Sequence, residues 1–213
     1  MHSRSKGVTV TGTGEATSPP DLITVNIGVT ALAPTVAEAS GIAAGAAENL
    51  LAVLADAGLD LADIGTTNYS IASEHDWSNN VRRLLGYRVN NTLNVRIRDL
   101  ERAGDILDQA VEAAGDAVTV NNLQFSIEDP TDLERRARDA AWTDAKAIAD
   151  QLANLAGRQL GRATSIVETQ GGAIPFPTPR RREMAMTSDA STPIEGGTTT
   201  ITVSISVRFE FDD

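Results

Sequence analysis

Cysteine is absent from this 213-residue chain. Its absence excludes disulfides, thiolate nucleophiles and cysteine-ligated zinc or iron–sulfur centres. Aromatic residues make up only 4%, so the core must be built from Ala, Val, Ile and Leu. A core of that kind has modest volume per residue and gains from burial against neighbouring subunits. Histidine occurs only at His2 and His75, and no Gly-x-Ser-x-Gly elbow is present. A Ser-His-Asp triad therefore has almost nothing to draw on. No apolar stretch approaches the ~18–20 residues that span a bilayer as a helix. Lysine is confined to Lys6 and Lys146, while Arg and Ala are abundant, a bias common in GC-rich bacterial genomes.

The formal net charge is −11. A chain this acidic repels the phosphate backbone and anionic membrane surfaces, which argues against general nucleic-acid or membrane binding. Residues 1–6 carry charge, but no apolar h-region follows them, so no export signal is read. The expected location is cytoplasmic as the chain stands, and periplasmic or envelope if an export signal was trimmed from it.

The hydrophobic pattern alternates between periods of two and of about 3.6. Residues 7–11 predict a short strand, and Gly12 and Gly14 a turn or bulge. Ile23, Val25, Ile27 and Val29 alternate with polar residues as a half-buried strand does. Thr35 is the expected N-cap of a long amphipathic helix, with Glu38 as its capping-box partner and Gly58 as the C′ residue. Gly41 and Gly45 weaken that helix but would permit a close backbone approach. Residues 62–76 predict an extended segment, and His75 to Asn80 an exposed turn. Tyr87, Val89, Leu93, Val95 and Ile97 predict a long strand with one wet face, its apolar side broken only by Asn91.

A second helix is expected over 100–114, then a strand over 117–128 with a β-bulge at Asn121-Asn122, where the apolar phase slips. The third helix, opening at Thr131 and ending at Gly157, has an expected inward stripe of Leu133, Ala137, Ala141, Ala145, Ile148, Leu152 and Leu155. A strand over 163–169 and a long one over 201–211 complete the pattern. The fold class is therefore α+β, with antiparallel or mixed sheets carrying three amphipathic helices in two-layer sandwich lobes. The chain reads as one domain over 1–213, divisible into two intertwined lobes, about 1–65 with 158–213, and 66–157.

Residues 171–197 break the pattern. They are rich in Gly and Pro, then run through Arg180-Arg181-Arg182 to Met184 and Met186. A structureless stretch this long is usually functional or disordered, so it is expected to be a mobile or interface loop. Phe176, Arg180, Arg181, Arg182, Met184 and Met186 are the candidate interface residues.

Other clusters hold residue types that can carry chemistry. Glu74-His75-Asp76 could be a metal or acid–base group, but neighbours on an extended segment point to opposite faces. Gly12-Thr13-Gly14 lacks the third glycine and following helix of a dinucleotide loop. Glu101, Asp105, Asp108 and Glu112 share a helix face, which suits a solvated acidic surface better than the tight loop that Ca²⁺ prefers. No catalytic, cofactor or metal residue is assigned and no cofactor is expected.

Several segments together resemble the SIMPL-domain family, which includes bacterial periplasmic immunogenic proteins and an oxidative-stress-defence protein. They are residues 8–14, Pro20-Asp21, the turn from Gly58 to Thr67, and Gly86-Tyr87. Asp144-Ala145, Gly161, Thr192-Pro193-Ile194 and Gly196 complete the set. Their order and spacing carry the match over nearly the whole chain. The resemblance implies a protein without established catalytic residues, and a multi-subunit ring- or channel-like assembly in at least one member. This chain departs from the family habit in showing no export signal. The expected function is a non-enzymatic, self-assembling homo-oligomer whose partner is itself. The alternative is a stress-related module that binds a ligand or client in an apolar cavity. An undetected hydrolase relying on His75 is a third reading.

Overall fold

The computed structural model describes residues 6–78, 81–170, 174–176 and 194–212. Its elements run β1 (Gly7–Ser18), β2 (Leu22–Ala33), α1 (Val36–Asp56), β3 (Ile64–Ser78), β4 (Val81–Ile97) and α2 (Ala103–Ala114), then β5 (Val118–Ser126), α3 (Thr131–Leu155), β6 (Gln159–Gln170), β7 (Ile174–Phe176) and β8 (Thr198–Asp212). Every described strand pair is antiparallel, so of the antiparallel or mixed sheets expected, the antiparallel form is found.

The contacts divide the chain into two compact units. The first holds β1, α3, β6, β7 and β8, the second β2, α1, β3, β4, α2 and β5. This division falls elsewhere than the boundaries expected near 65 and 157. β2 carries α1 into the second unit because it is a central strand, paired with both β4 and β5. α3 joins the first unit because its alanine row packs on the β1–β8 sheet.

In the first unit the strand order is β1-β8-β6, with β7 pairing the start of β8. Ile201, Val203, Ile205, Val207 and Phe209 of β8 are buried in alternation, as are Val10, Gly12, Gly14 and Ala16 of β1. Gly12 and Gly14 are therefore not a turn: they lie in mid-strand beneath α3. A Cβ on Gly12 would meet Ala141 O and Ala145 N, and one on Gly14 would meet Ala137 O and Ala141 N. The inward row of α3 is Leu133, Ala137, Ala141, Ala145, Ala149 and Ala153. Ile148 is only partly buried, and Leu152 and Leu155 are exposed, which corrects the expected stripe. A helix seated this close needs small residues every fourth position, and larger side chains are excluded by lack of room.

In the second unit the order is β3-β4-β2-β5. The core joins alternate residues of β2 and β4 to Ala39, Ala43, Ala47, Leu50 and Leu54 of α1 and to Ala103, Ile106, Leu107 and Ala110 of α2. Thr35 caps α1 as expected: its hydroxyl accepts from Glu38 N at 3.3 Å and donates to Glu38 Oε2 at 3.0 Å. Gly58 takes φ +89° just past the helix, and Leu59 N donates back to Leu54 O. Nothing stands within 4 Å of a Cβ built on Gly41 or Gly45, so the close approach expected there does not occur among the described residues. The β-bulge in β5 is present: pairing passes from Thr24–Gln124 to Asn26–Asn121, and Asn122 adopts φ +50°.

Candidate functional site

The second unit carries a two-stranded arm. β3 and β4 stay paired from Ile64–Val95 out to Ser78–Val81, whereas β2 contributes its last pair at Ala33–Tyr87. Beyond Tyr87 the hairpin has no third strand among the described residues. A two-stranded ribbon is marginal alone in water, because it cannot bury both its faces. Arg88 clamps its root, donating to Glu74 Oε2 at 2.8 Å, and this hydrogen bond holds the Glu74 carboxyl below its ordinary pKa.

The arm presents apolar side chains to solvent. Tyr69, Ile71 and Trp77 lie at odd positions of β3 and so share one face, where Trp77 is 70% exposed and Tyr69 57%. Opposite them, Leu84 pairs with His75, and Arg82 with Trp77. Leu85 is the extra residue of a bulge, since pairing passes from Glu74–Gly86 to His75–Leu84; Leu84 and Leu85 are both about half exposed, at 51% and 54%. Tyr69 and Ile71 pair with Asn91 and Val89, so they occupy the same sheet face as the core. They remain uncovered because β3 is the edge strand while α1 packs on β2 and β4.

The segment expected as an exposed turn from His75 to Asn80 is therefore strand as far as Ser78. Glu74, His75 and Asp76 do not converge. Glu74 binds Arg88, His75 Nδ1 lies 3.2 Å from Arg82 Nη2, and Asp76 sits opposite Arg83. Of the four acidic residues expected on one helix face, Glu101 precedes α2, and Asp105, Asp108 and Glu112 lie on it. Among the described residues no three His, Asp or Glu side chains are grouped to hold a metal. Of the expected interface residues, Phe176 is placed by its backbone in β7, opposite Thr198. Arg180, Arg181, Arg182, Met184 and Met186 lie outside the described residues.

A groove of about 340 Å³ lies where α1 ends and α2 begins. Three arginines (Arg96, Arg98, Arg102) and three aspartates (Asp60, Asp63, Asp99) line it. Asp63 is buried, and Arg98 Nη1 donates to its Oδ2 at 2.5 Å, with Arg96 Nη1 3.8 Å from Oδ1. The Arg98 hydrogen bond holds the Asp63 carboxyl below its ordinary pKa. Oppositely charged walls make this a latch between the start of β3 and the end of β4. It is not the sizeable apolar cavity that a ligand- or client-binding module would need.

The strand expected to end at 76 continues to Ser78 as one side of this arm, in place of the expected turn. Its sequence signal is Tyr69, Ile71 and Trp77 in a single period-two phase. No described helix is long and apolar enough to cross a membrane.

The SIMPL family model, described as a protein of unknown function (DUF541), matches residues 8–209. A 26 kDa periplasmic immunogenic protein of Brucella melitensis is 32% identical over 222 residues, covering 99% of this chain and 86% of the Brucella protein. A protein of the same description from Brucella abortus matches to the same extent. The uncharacterized protein YggE of Escherichia coli K12 is 26% identical over 159 residues, covering 75% of this chain and 64% of YggE. The matched span takes in both units, from the Val8–Gly14 strand under α3 to Phe209 of β8: the chain belongs to the SIMPL family.

Proposed function

We propose that this protein is a non-enzymatic, self-assembling homo-oligomer whose subunits join through the β3–β4 arm. The observation that carries the reading is the apolar face of β3–β4, where Tyr69 and Ile71 stand uncovered on the edge strand and Trp77 and Leu84 lie farther out, on the ribbon with no third strand. Exposed apolar surface at this density marks an association site. Burying a fully exposed side chain of this kind is worth about 1.5–3 kcal/mol; these four are about half exposed, so together they contribute roughly 3–6 kcal/mol toward an association cost of about 4–15 kcal/mol. A second copy is the favoured occupant on charge grounds. The arm adds Arg82, paired with Trp77, to its apolar ridge, and a chain of net charge −11 offers acidic surface to receive it.

An arm that docks on a different surface of its neighbour makes a head-to-tail contact, which closes into a ring when the rotation allows. A contact of that kind is compatible with the ring- or channel-like form that the family resemblance implies. The Brucella relatives are named as periplasmic, which favours the periplasm over the cytoplasm for this protein too. Sedimentation velocity across a micromolar concentration series tests the reading. A species at a multiple of the 22.4 kDa chain mass supports it, and a monomer throughout overturns it.

A further inference from the structure

A second surface of the protein is suited to self-pairing, and it lies in the other unit. β6 is the edge strand of the β1-β8-β6 sheet, and among the described residues no strand pairs with its outer side. Edge strands ordinarily carry Lys, Pro, a bulge or an inward charge that discourages further pairing. The register irregularities of β6 fall between Leu160 and Ser165. From Ser165 to Gln170 the ladder is regular and holds neither Lys nor Pro. At its centre Ile166 and Val167, on opposite faces of the strand, are each 58% exposed. The one charge in this stretch, Glu168, is already held by Arg138 of α3, with Nε 2.9 and 3.0 Å from its two carboxylate oxygens.

We propose that this edge pairs with the same edge of a second copy, antiparallel about a two-fold axis through Val167. The occupant follows from the sequence of the ladder itself. Centring on Val167 places Val167 against its own counterpart and Ser165 against the second copy's Thr169, a hydroxyl pair that stabilises antiparallel sheets. Ile166 falls beside Glu168 of the second copy, with its own counterpart on the diagonal. No like charges face each other. A shift of one residue toward the C-terminus would oppose Glu168 to Glu168, and one toward the N-terminus would run the ladder into the irregular segment at 163–165. The buried row Val10–Val207, which Ile166 extends across β6, would meet Ile166 of the second copy on the diagonal. This contact adds to the self-assembly reading but does not use the arm.

The native absence of cysteine makes the test direct. Val167→Cys, Ile166→Cys and Leu155→Cys are made singly, the last on an exposed part of α3, and each is oxidised mildly at micromolar concentration. Directly opposed antiparallel residues have Cα atoms about 4.5–5.5 Å apart, within disulfide reach. Val167→Cys is expected to form a disulfide-linked dimer about tenfold or more faster than Leu155→Cys, because paired thiols meet at high effective concentration. Ile166→Cys is expected to lag behind Val167→Cys. Equal rates for all three, or Ile166→Cys leading, would overturn the pairing. If the wild type is an assembly by mass and Val167→Cys fails to cross-link, the edge contact alone falls. If the wild type is a monomer and no cross-link forms, the assembly reading falls with it.

Discussion

The backbone N–H of Thr13 donates to Asp144 Oδ2 at 2.9 Å, tying β1 to α3 across 131 residues of sequence. β1 is an edge strand, so this N–H would otherwise face water, and the carboxylate blunts the edge as well as fastening the helix. The contact sits between Gly12 and Gly14, where the strand comes closest to the alanine row. Asp144→Ala is expected to lower stability by on the order of 1 kcal/mol. Gly14→Val should cost more, about 1–3 kcal/mol or beyond, because a side chain there meets helix backbone. Urea denaturation of the two variants checks the order; a larger loss from Asp144→Ala would mean the close approach is not structural.

The Asp63 latch predicts a pH dependence. Arg98 lowers the folded-state pKa of Asp63 below its ordinary value. The stabilisation is therefore fully present above the ordinary aspartate range and is lost as pH falls through the folded-state value. Asp63→Asn should lower the melting temperature at pH 7, with the gap to wild type closing in acid. A gap that stayed constant down to pH 2 would show that Asp63 contributes by shape alone.

Strand phase in β8 is tested by a neighbouring pair. Ile205 is buried on the α3 side, and Ser204 lies on the other face beside Thr13 and Thr169. Ile205→Asp buries an unpaired charge and should abolish folding, while Ser204→Asp should leave the circular dichroism spectrum and melting temperature nearly unchanged. Equal damage from both would contradict the assigned faces.

Asn91 is the polar interruption of the inner face of β4, and its Oδ1 is buried without a partner among the described residues. Replacing an orphaned acceptor with an apolar side chain of similar size removes its desolvation penalty. Asn91→Leu is expected to raise stability by on the order of 1 kcal/mol. A loss of that size in thermal unfolding would show that the amide makes a contact the leucine cannot.

Most of the fold was legible in residue periodicity. The strands around Val25, Val95 and Val203 each bury one face, so hydrophobic alternation reports them directly. The cap at Thr35 and the bulge at Asn122 were legible because each depends on side chains a few residues apart. Gly12 and Gly14 are ambiguous in the sequence because glycine signals a turn and a close helix approach equally well, and only the alanine row from Ala137 onward decides between them. The stripe of α3 was drawn through Leu152 and Leu155 because size suggests burial, whereas the helix selects for smallness at Ala149 and Ala153. The arm was hidden for a different reason. Its apolar residues are exposed in the single chain, and a pattern read for burial assigns such residues to a core or passes over them.

The central claim is that copies of this chain join through the β3–β4 arm. Multi-angle light scattering of the wild type beside a Trp77→Ser, Leu84→Ser double variant tests it most directly. Both positions are solvent-exposed, so the variant should fold with an unchanged circular dichroism spectrum. The expected result is an oligomeric wild type and a variant whose mass falls toward 22.4 kDa. Equal masses for the two proteins, whether both assembled or both monomeric, would contradict the account.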